Sequence, residues 1–359
     1  MMTGPSRRTF LRNFIQGGLA VGAAQRLSAT ASARQSGGPQ RHIDPYALVN
    51  PELLDALKTL EAQPQHPLNA ETLQIARSVP PFPALPSPAP QPVSEHIPGS
   101  NGAPDVGVVI FDPAPKSTNR PAILYIHGGG YIAMSASFFA PELQRMAVDC
   151  GCLVVSVDYR LAPETRFPGS LEDNYAALRW IYNNAISLGV DRSRIAIAGA
   201  SAGGGHAAAL AIAARDRKEI PVAFQLLIYP MLDDRTGSTR TVPPHIGTFI
   251  WTAEKNVFGW TSLLGVPAGS AVVPAGAVPS RVENLAGLPP AFIGVGSIDL
   301  FVEEDIDYAK RLIAAGVPTE LYVVPGAYHA FDLLVPNAAV TTRFNQTWIT
   351  AVRTRLKRS

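Results

Sequence analysis

Six short apolar runs recur along the second two thirds of the chain: "AILYIHG", "CLVVSVDY", "RIAIAGAS", "FQLLIYP", "AFIGVGS" and "TELYVVPG". Each has the length of a strand, and each is followed by a stretch with helical spacing. The clearest follows Gly169, where Leu171, Tyr175, Leu178, Ile181 and Ala185 return every three or four positions. Strands that are apolar almost throughout, separated by amphipathic helices, predict a mostly parallel sheet covered on both faces, a doubly wound α/β architecture over 106–355. Reactive groups in such sheets sit at the carboxyl ends of the strands.

Two intervals break the rhythm. Residues 34–105 are a patchwork: Asn50-Pro51 predicts a helix start, with Asn as cap and Pro at the first helical position, and "ELLDALKTLEAQ" continues it through Leu53, Leu54, Leu57 and Leu60. Seven prolines in 79–92 then predict an extended strap that is neither helix nor central strand. The second break is the stretch of about 60 residues between "YPMLDD" and "AFIGVGS". Its first part, 236–265, contains "HIGTFIWTAEKNVFGW" and is read as an insertion that joins 34–105 in a helical cap over the strand ends. The core is then 106–235 together with 266–359.

The first 33 residues read differently. "SRRTFLR" precedes the short, glycine-containing apolar stretch "FIQGGLAVGAA" and the small residues "ATASA", an order that predicts a secretory signal cleaved near Ala33. Arg7 and Arg8 point to the twin-arginine route, and hence to a periplasmic or extracellular destination. The apolar stretch is too short for a stable membrane span. Removing the signal, with four arginines and no acids, takes the formal net charge from +2 to −2, which gives no electrostatic footprint for nucleic acid. A composition with 47% hydrophobic and 16% charged residues excludes disordered and fibrous classes. The only cysteines, Cys150 and Cys152, read as two small buried side chains, not as a disulfide or a metal site.

"GASAGG", residues 199–204, strips the surroundings of one hydroxyl almost bare. A strand ending near Ala198 and a helix starting near Ala202 leave only Gly-x-Ser-x-Gly for the reversal, so the chain turns sharply with Ser201 at the apex. An anion formed there meets free backbone donors at a helix start. A nucleophilic serine needs a base and an acid, in the order serine, acid, histidine for this architecture. Of the downstream histidines, His206 falls inside the helix and His245 in the insertion, whereas His329 stands just beyond the last strand. Asp299 follows "AFIGVGSI" at a strand end and is the expected acid; Glu303, Glu304, Asp305 and Asp307 open the next helix, where first-turn acids have an ordinary explanation in the macrodipole, and Glu303 is held in reserve. "YIHGGGY" brings glycine N–H groups toward a substrate, so Gly128 and Gly129, with Ala202 and with Gly130 as a further possibility, are the candidate oxyanion donors. Tyr131, Phe249 and Trp251 are candidate pocket residues.

"HGGGY", "DYRLAPE", "GASAGG", "SIDLFVEE" and "PGAYHAF" resemble, in order and spacing, the hormone-sensitive-lipase-like (type IV) esterases of the α/β-hydrolase superfamily. The resemblance covers about 105–355. It implies a carboxylester hydrolase without cofactor or metal, with Ser201, Asp299 and His329 as triad, Gly128, Gly129 and Ala202 as oxyanion donors, a cap, and short to medium acyl esters as substrates. It also suggests that Arg160, Pro163 and Glu164 tie the loop behind the site. Ala200, Ala330 and Glu303 depart from the family's usual residues without removing a reacting group. A non-catalytic binding protein on the same fold, an amidase and an acyltransferase are the competing readings, and the oligomeric state is not legible.

Overall fold

A computed structural model describes residues 43–63 and 66–357; the expected signal over 1–33 and its cleavage position lie outside them. The sheet has eight strands: β1 Val93–Ile97, β2 Val106–Phe111, β3 Arg120–Ile126, β4 Leu153–Asp158, β5 Val190–Ala200, β6 Phe224–Ile228, β7 Ala291–Gly296 and β8 Thr319–Val324. Their order is β1-β2-β4-β3-β5-β6-β7-β8. β1 and β2 run antiparallel to their neighbours, and β4, β3 and β5 to β8 are parallel. The helices are α1 Pro51–Glu61, α2 Leu73–Arg77, α3 Ala140–Cys150, α4 Gly169–Asn183, α5 Ala202–Arg217, α6 Ala253–Leu264, α7 Val302–Ala314, α8 Phe331–Leu334 and α9 Ala339–Arg355.

The continuous apolar runs now have their cause. Ala122, Leu124 and Ile126 of β3 join the core with Leu178 of α4, Leu210 of α5 and Leu312 of α7. Ile123 and Tyr125, pointing the other way, join Leu143 of α3, Phe344 of α9 and Leu53 and Leu57 of α1. All seven residues of β3 and all six of β7 are buried, so alternation has no polar face to report.

The helices predicted after Asn50, after Gly169 and after Ser201 are all present. Asn50 caps α1, its Oδ1 accepting from the Glu52 N–H at 3.0 Å with Pro51 at the first turn. α4 begins at Gly169 and buries Leu171, Tyr175, Leu178 and Ile181. One feature of 34–105 differs from the reading as cap and strap: its residues 93–97 form β1, the edge strand of the core sheet. Cys150 ends α3 and Cys152 precedes β4; both are buried free thiols. Among the described residues no helix is long and apolar enough to cross a membrane.

Candidate active site

Ser201 stands between β5 and α5 with φ 58° and ψ −124°, in the left-handed half of backbone space that non-glycine residues avoid. Neighbouring backbone pins the turn: the Ser201 N–H donates to the Ile228 carbonyl at 2.9 Å, and the Ser201 carbonyl accepts from Gly205 and Met231, each at 3.0 Å. The bare flanks are required by close approach. A Cβ on Gly199 would lie 2.2 Å from the Gly203 carbonyl oxygen, and one on Gly203 would lie 2.0 Å from that of Ile126. Any side chain there would push α5 off β3.

β8 is followed by a turn that delivers His329, and β7 by one that delivers Asp299. The His329 imidazole bridges the two: Nδ1 is 2.8 Å from Asp299 Oδ2 and Nε2 is 3.0 Å from Ser201 Oγ. The remaining Asp299 oxygen accepts from the Phe301 N–H at 3.0 Å, so the carboxylate is held from both sides. All three residues are buried. Tyr229 and Phe301 set their rings edge-on to the imidazole, at 4.7 and 5.3 Å between centroids. Among the described residues, no side chain or loop carbonyl accepts the N–H of Gly128, Gly129 or Ala202. These donors flank Ser201 at the ends of β3 and β5, and Gly128 packs against Ala200 and the Ser201 Cβ.

A cavity of about 200 Å³ opens at the serine, lined by Gly128, Gly129, Gly130, Ser201 and His329 and by apolar side chains including Phe138, Phe139, Leu333 and Ile75. Trp251 lines it as expected, its ring centroid 6.4 Å from that of His329. Tyr131 and Phe249, expected in the pocket, are not part of its lining. Tyr131 is buried among Trp260 and Met231 with its hydroxyl donating to the Met231 carbonyl at 2.9 Å. Phe249 packs between Tyr46 and Tyr328. Adjacency in sequence to a site loop did not carry these rings to the site, because both turn toward the core.

The remaining candidates fall elsewhere. His206 is buried in α5 beside Tyr131 and Tyr159, and burial lowers its pKa to about 3. His127, stacked on Tyr159, is lowered by burial to about 4. His245 lies in the insertion and does not line the cavity. Glu303 is exposed on α7. Its neighbour Glu304, which sequence reasoning passed over as an ordinary first-turn acid, is buried and accepts from the Leu232 and Asp233 N–H groups at 2.7 and 3.1 Å and from the Thr236 hydroxyl. It ties α7 to the start of the insertion. In "DYRLAPE", Arg160 pairs with buried Asp173, whereas Glu164 reaches forward: Arg77 of α2 binds both its carboxylate oxygens, at 2.7 and 2.8 Å, and donates to the carbonyls of Ile132 and Ala162. Nothing in the spacing of Arg77 announced this partner, 87 residues away.

The family model described as alpha/beta hydrolase fold matches residues 123–333. Carboxylesterase NlhH of Mycobacterium tuberculosis is 37% identical over 262 residues, which span 70% of this chain and 79% of that protein. Esterase LipI of the same organism is 37% identical over 232 residues, 63% of this chain and 71% of that one. Among solved structures, the chain is similar to a bacterial heroin esterase, with a TM-score of 0.79 and 35% identity, covering 88% of this chain and 100% of the other.

Proposed function

The chain belongs to the hormone-sensitive-lipase-like carboxylesterases of the α/β-hydrolase fold, and from that membership we propose that Ser201, His329 and Asp299 are its catalytic residues. It is a serine hydrolase acting on carboxylic esters. The observation that carries the assignment of roles is the imidazole held between carboxylate and hydroxyl, at 2.8 and 3.0 Å.

In the proposed reaction Ser201 Oγ attacks the ester carbonyl while its proton passes to His329 Nε2. The carbonyl oxygen takes the negative charge and is met by the N–H groups of Gly128, Gly129 and Ala202. Collapse breaks the bond to the alcohol, which leaves with the proton from His329. Water then attacks the acyl-serine through the same base, releasing the acid and restoring the hydroxyl. Asp299 fixes the imidazole's orientation and stabilises its charged form. Ser201→Ala is expected to reduce kcat by about 10⁶-fold; turnover equal to the parent on a chromogenic ester would remove the nucleophile assignment.

Short to medium acyl esters are the proposed substrates. The cavity, at about 200 Å³, is smaller than the roughly 300–1,000 Å³ of sites that enclose drug-sized ligands. Leu60 and Glu61 of α1, Ile75 and Ala76 of α2, and Ile250 and Trp251 before α6 line part of its wall, which, β1 apart, supports reading 34–105 and 236–265 as a cap. We further propose that the chain is exported by the twin-arginine route, on the order of charged, apolar and small residues in its first 33 positions. Mass spectrometry of a periplasmic fraction should find an N-terminus near Arg34; an unprocessed cytoplasmic product would count against it.

A further inference from the structure

The lining of the cavity at Ser201 is mostly apolar; apart from Ser201 and His329, its polar side chains include His66, Thr72 and the charged Lys255 of α6 and Glu61 of α1. A lysine at Lys255 is poorly explained by local structure. It falls in the first turn of α6, where the helix dipole disfavours a cation, and it is largely buried, which lowers its pKa. It forms no ion pair among the described residues, and its single hydrogen bond runs from Nζ to the Ile250 carbonyl at 2.7 Å. An amine of this kind has further N–H donors, whether charged or neutral. They have no protein acceptor among the described residues.

What Lys255 touches is itself unusual. Ile250 has φ 66°, and the Trp251 N–H donates across it to the Phe249 carbonyl at 2.7 Å, a tight γ-turn of the strained, positive-φ kind at a β-branched residue. The turn presses the Trp251 indole against the glycine loop: a Cβ on Gly130 would lie 2.2 Å from the ring. Lys255 thus sits beside the wall segment that abuts the glycine loop, with donors to spare. Glu61, which also lines the cavity, accepts from the Tyr46 hydroxyl and adds a negative charge near the lysine, so this region favours a neutral dipole over a second anion.

We propose that Lys255 is the specificity-determining residue of a polar subsite that binds a neutral oxygen acceptor, a ketone or second ester carbonyl, on the arm of the substrate that fills the cavity. The proposal rests on the esterase reading of the same cavity and names its substrate class. Two matched pairs test it: a levulinate against a valerate of one chromogenic alcohol, and the acetates of a γ-keto alcohol and of the straight-chain alcohol of equal length. For each pair the quantity read is the ratio of kcat/KM, keto over plain. In K255M the ratio is expected to fall at least about tenfold in one pair, as loss of a hydrogen bond from a charged group implies. K255Q keeps an amide donor for the Ile250 turn and carries the test should K255M fail to fold, with a fall of about threefold or more expected. Ratios unchanged in both pairs, including the case where all rates drop together because the turn has loosened, overturn the subsite. So does a Lys255-dependent preference absent from both pairs and confined to a third probe, the succinate hemiester of the same chromogenic alcohol. Hydrolysis of the plain esters by the parent enzyme reports the underlying reading separately: its absence overturns the esterase assignment, whereas its presence with unchanged ratios overturns the subsite alone.

Discussion

At the scale of single residues, the site depends on directions as much as on distances. His329 is useful to Ser201 only if Nδ1 keeps its proton and Nε2 is free to take one, and Asp299, held by the Phe301 N–H and bound to Nδ1, selects that arrangement. Asp299→Asn preserves size and packing but offers the imidazole the wrong hydrogen-bonding partner, so kcat is expected to fall by about 10⁴-fold. Steady-state kinetics on an activated ester, with circular dichroism to verify the fold, measure it; a loss of under tenfold would assign the acid's role to another group. Ser201, Asp299 and His329 were legible because each follows a strand-length apolar run, and strand ends are where this architecture exposes side chains. Tyr131 and Phe249 were misplaced because a ring's direction depends on tertiary packing. Lys255 gave no signal at all: a lysine in a first helical turn reads as a solvated charge.

At the scale of elements, the proposed cap is fastened to the core by specific polar contacts as well as by packing. α2 has five residues, too few to persist alone, and Arg77 at its end makes four hydrogen bonds to the loops behind the glycine turn. Two of these go to partly buried carbonyls, and two to Glu164, whose side chain is 59% exposed. The physics ranks the partners. Arg77→Ala is expected to destabilise the protein by about 1–3 kcal/mol because it orphans the carbonyls of Ile132 and Ala162, whereas Glu164→Gln, which weakens only a solvated pair, should cost under about 1 kcal/mol. Urea unfolding of both variants checks the order, and equal losses would contradict it. The carboxylate of Glu164, held down to about 2 by Arg77, stays ionised across the useful pH range. β1 escaped sequence reading for a related reason: four of its five residues are exposed, so an edge strand paired on one side left no apolar run to find. α5 is the converse case. It is buried on nearly every side, so its run of alanines and glycines shows no amphipathic stripe, and only its place after the serine turn identified it.

Across the whole molecule, the sheet's two covered faces bury ionisable groups whose protonation is linked to stability. Asp332 lies three residues beyond His329, where its Oδ1 accepts from the Tyr229 hydroxyl at 2.8 Å. Desolvation raises its pKa from 3.8 to about 6, against the opposing effect of that hydrogen bond. A carboxyl whose folded pKa lies above its unfolded one stabilises the native state fully below the unfolded value and loses that contribution as pH rises through the folded value. The loss therefore falls between about pH 4 and pH 6 and amounts to at most about 3 kcal/mol. The buried imidazoles of His127 and His206, lowered to about 4 and 3, work in the other direction, since unfolding lets them take protons below about pH 6.5. The two slopes overlap, so the parent's stability curve alone does not separate them. The difference between parent and Asp332→Asn does: the amide oxygen still accepts from Tyr229 but never ionises, so the variant should gain stability relative to the parent as pH rises from 4 to 7 and then hold that gain. Denaturant midpoints at half-unit pH steps give the difference curve. A flat difference would mean that Asp332 ionises equally easily folded and unfolded; a difference that grows toward acid would mean that its carboxylate is stabilised by the fold. Tyr229 touches both Asp332 and the His329 ring, so the same titration reaches the His329 imidazole, the proposed base, through one side chain, and the kcat profile of Asp332→Asn should depart from the parent's in the same interval, around pH 6.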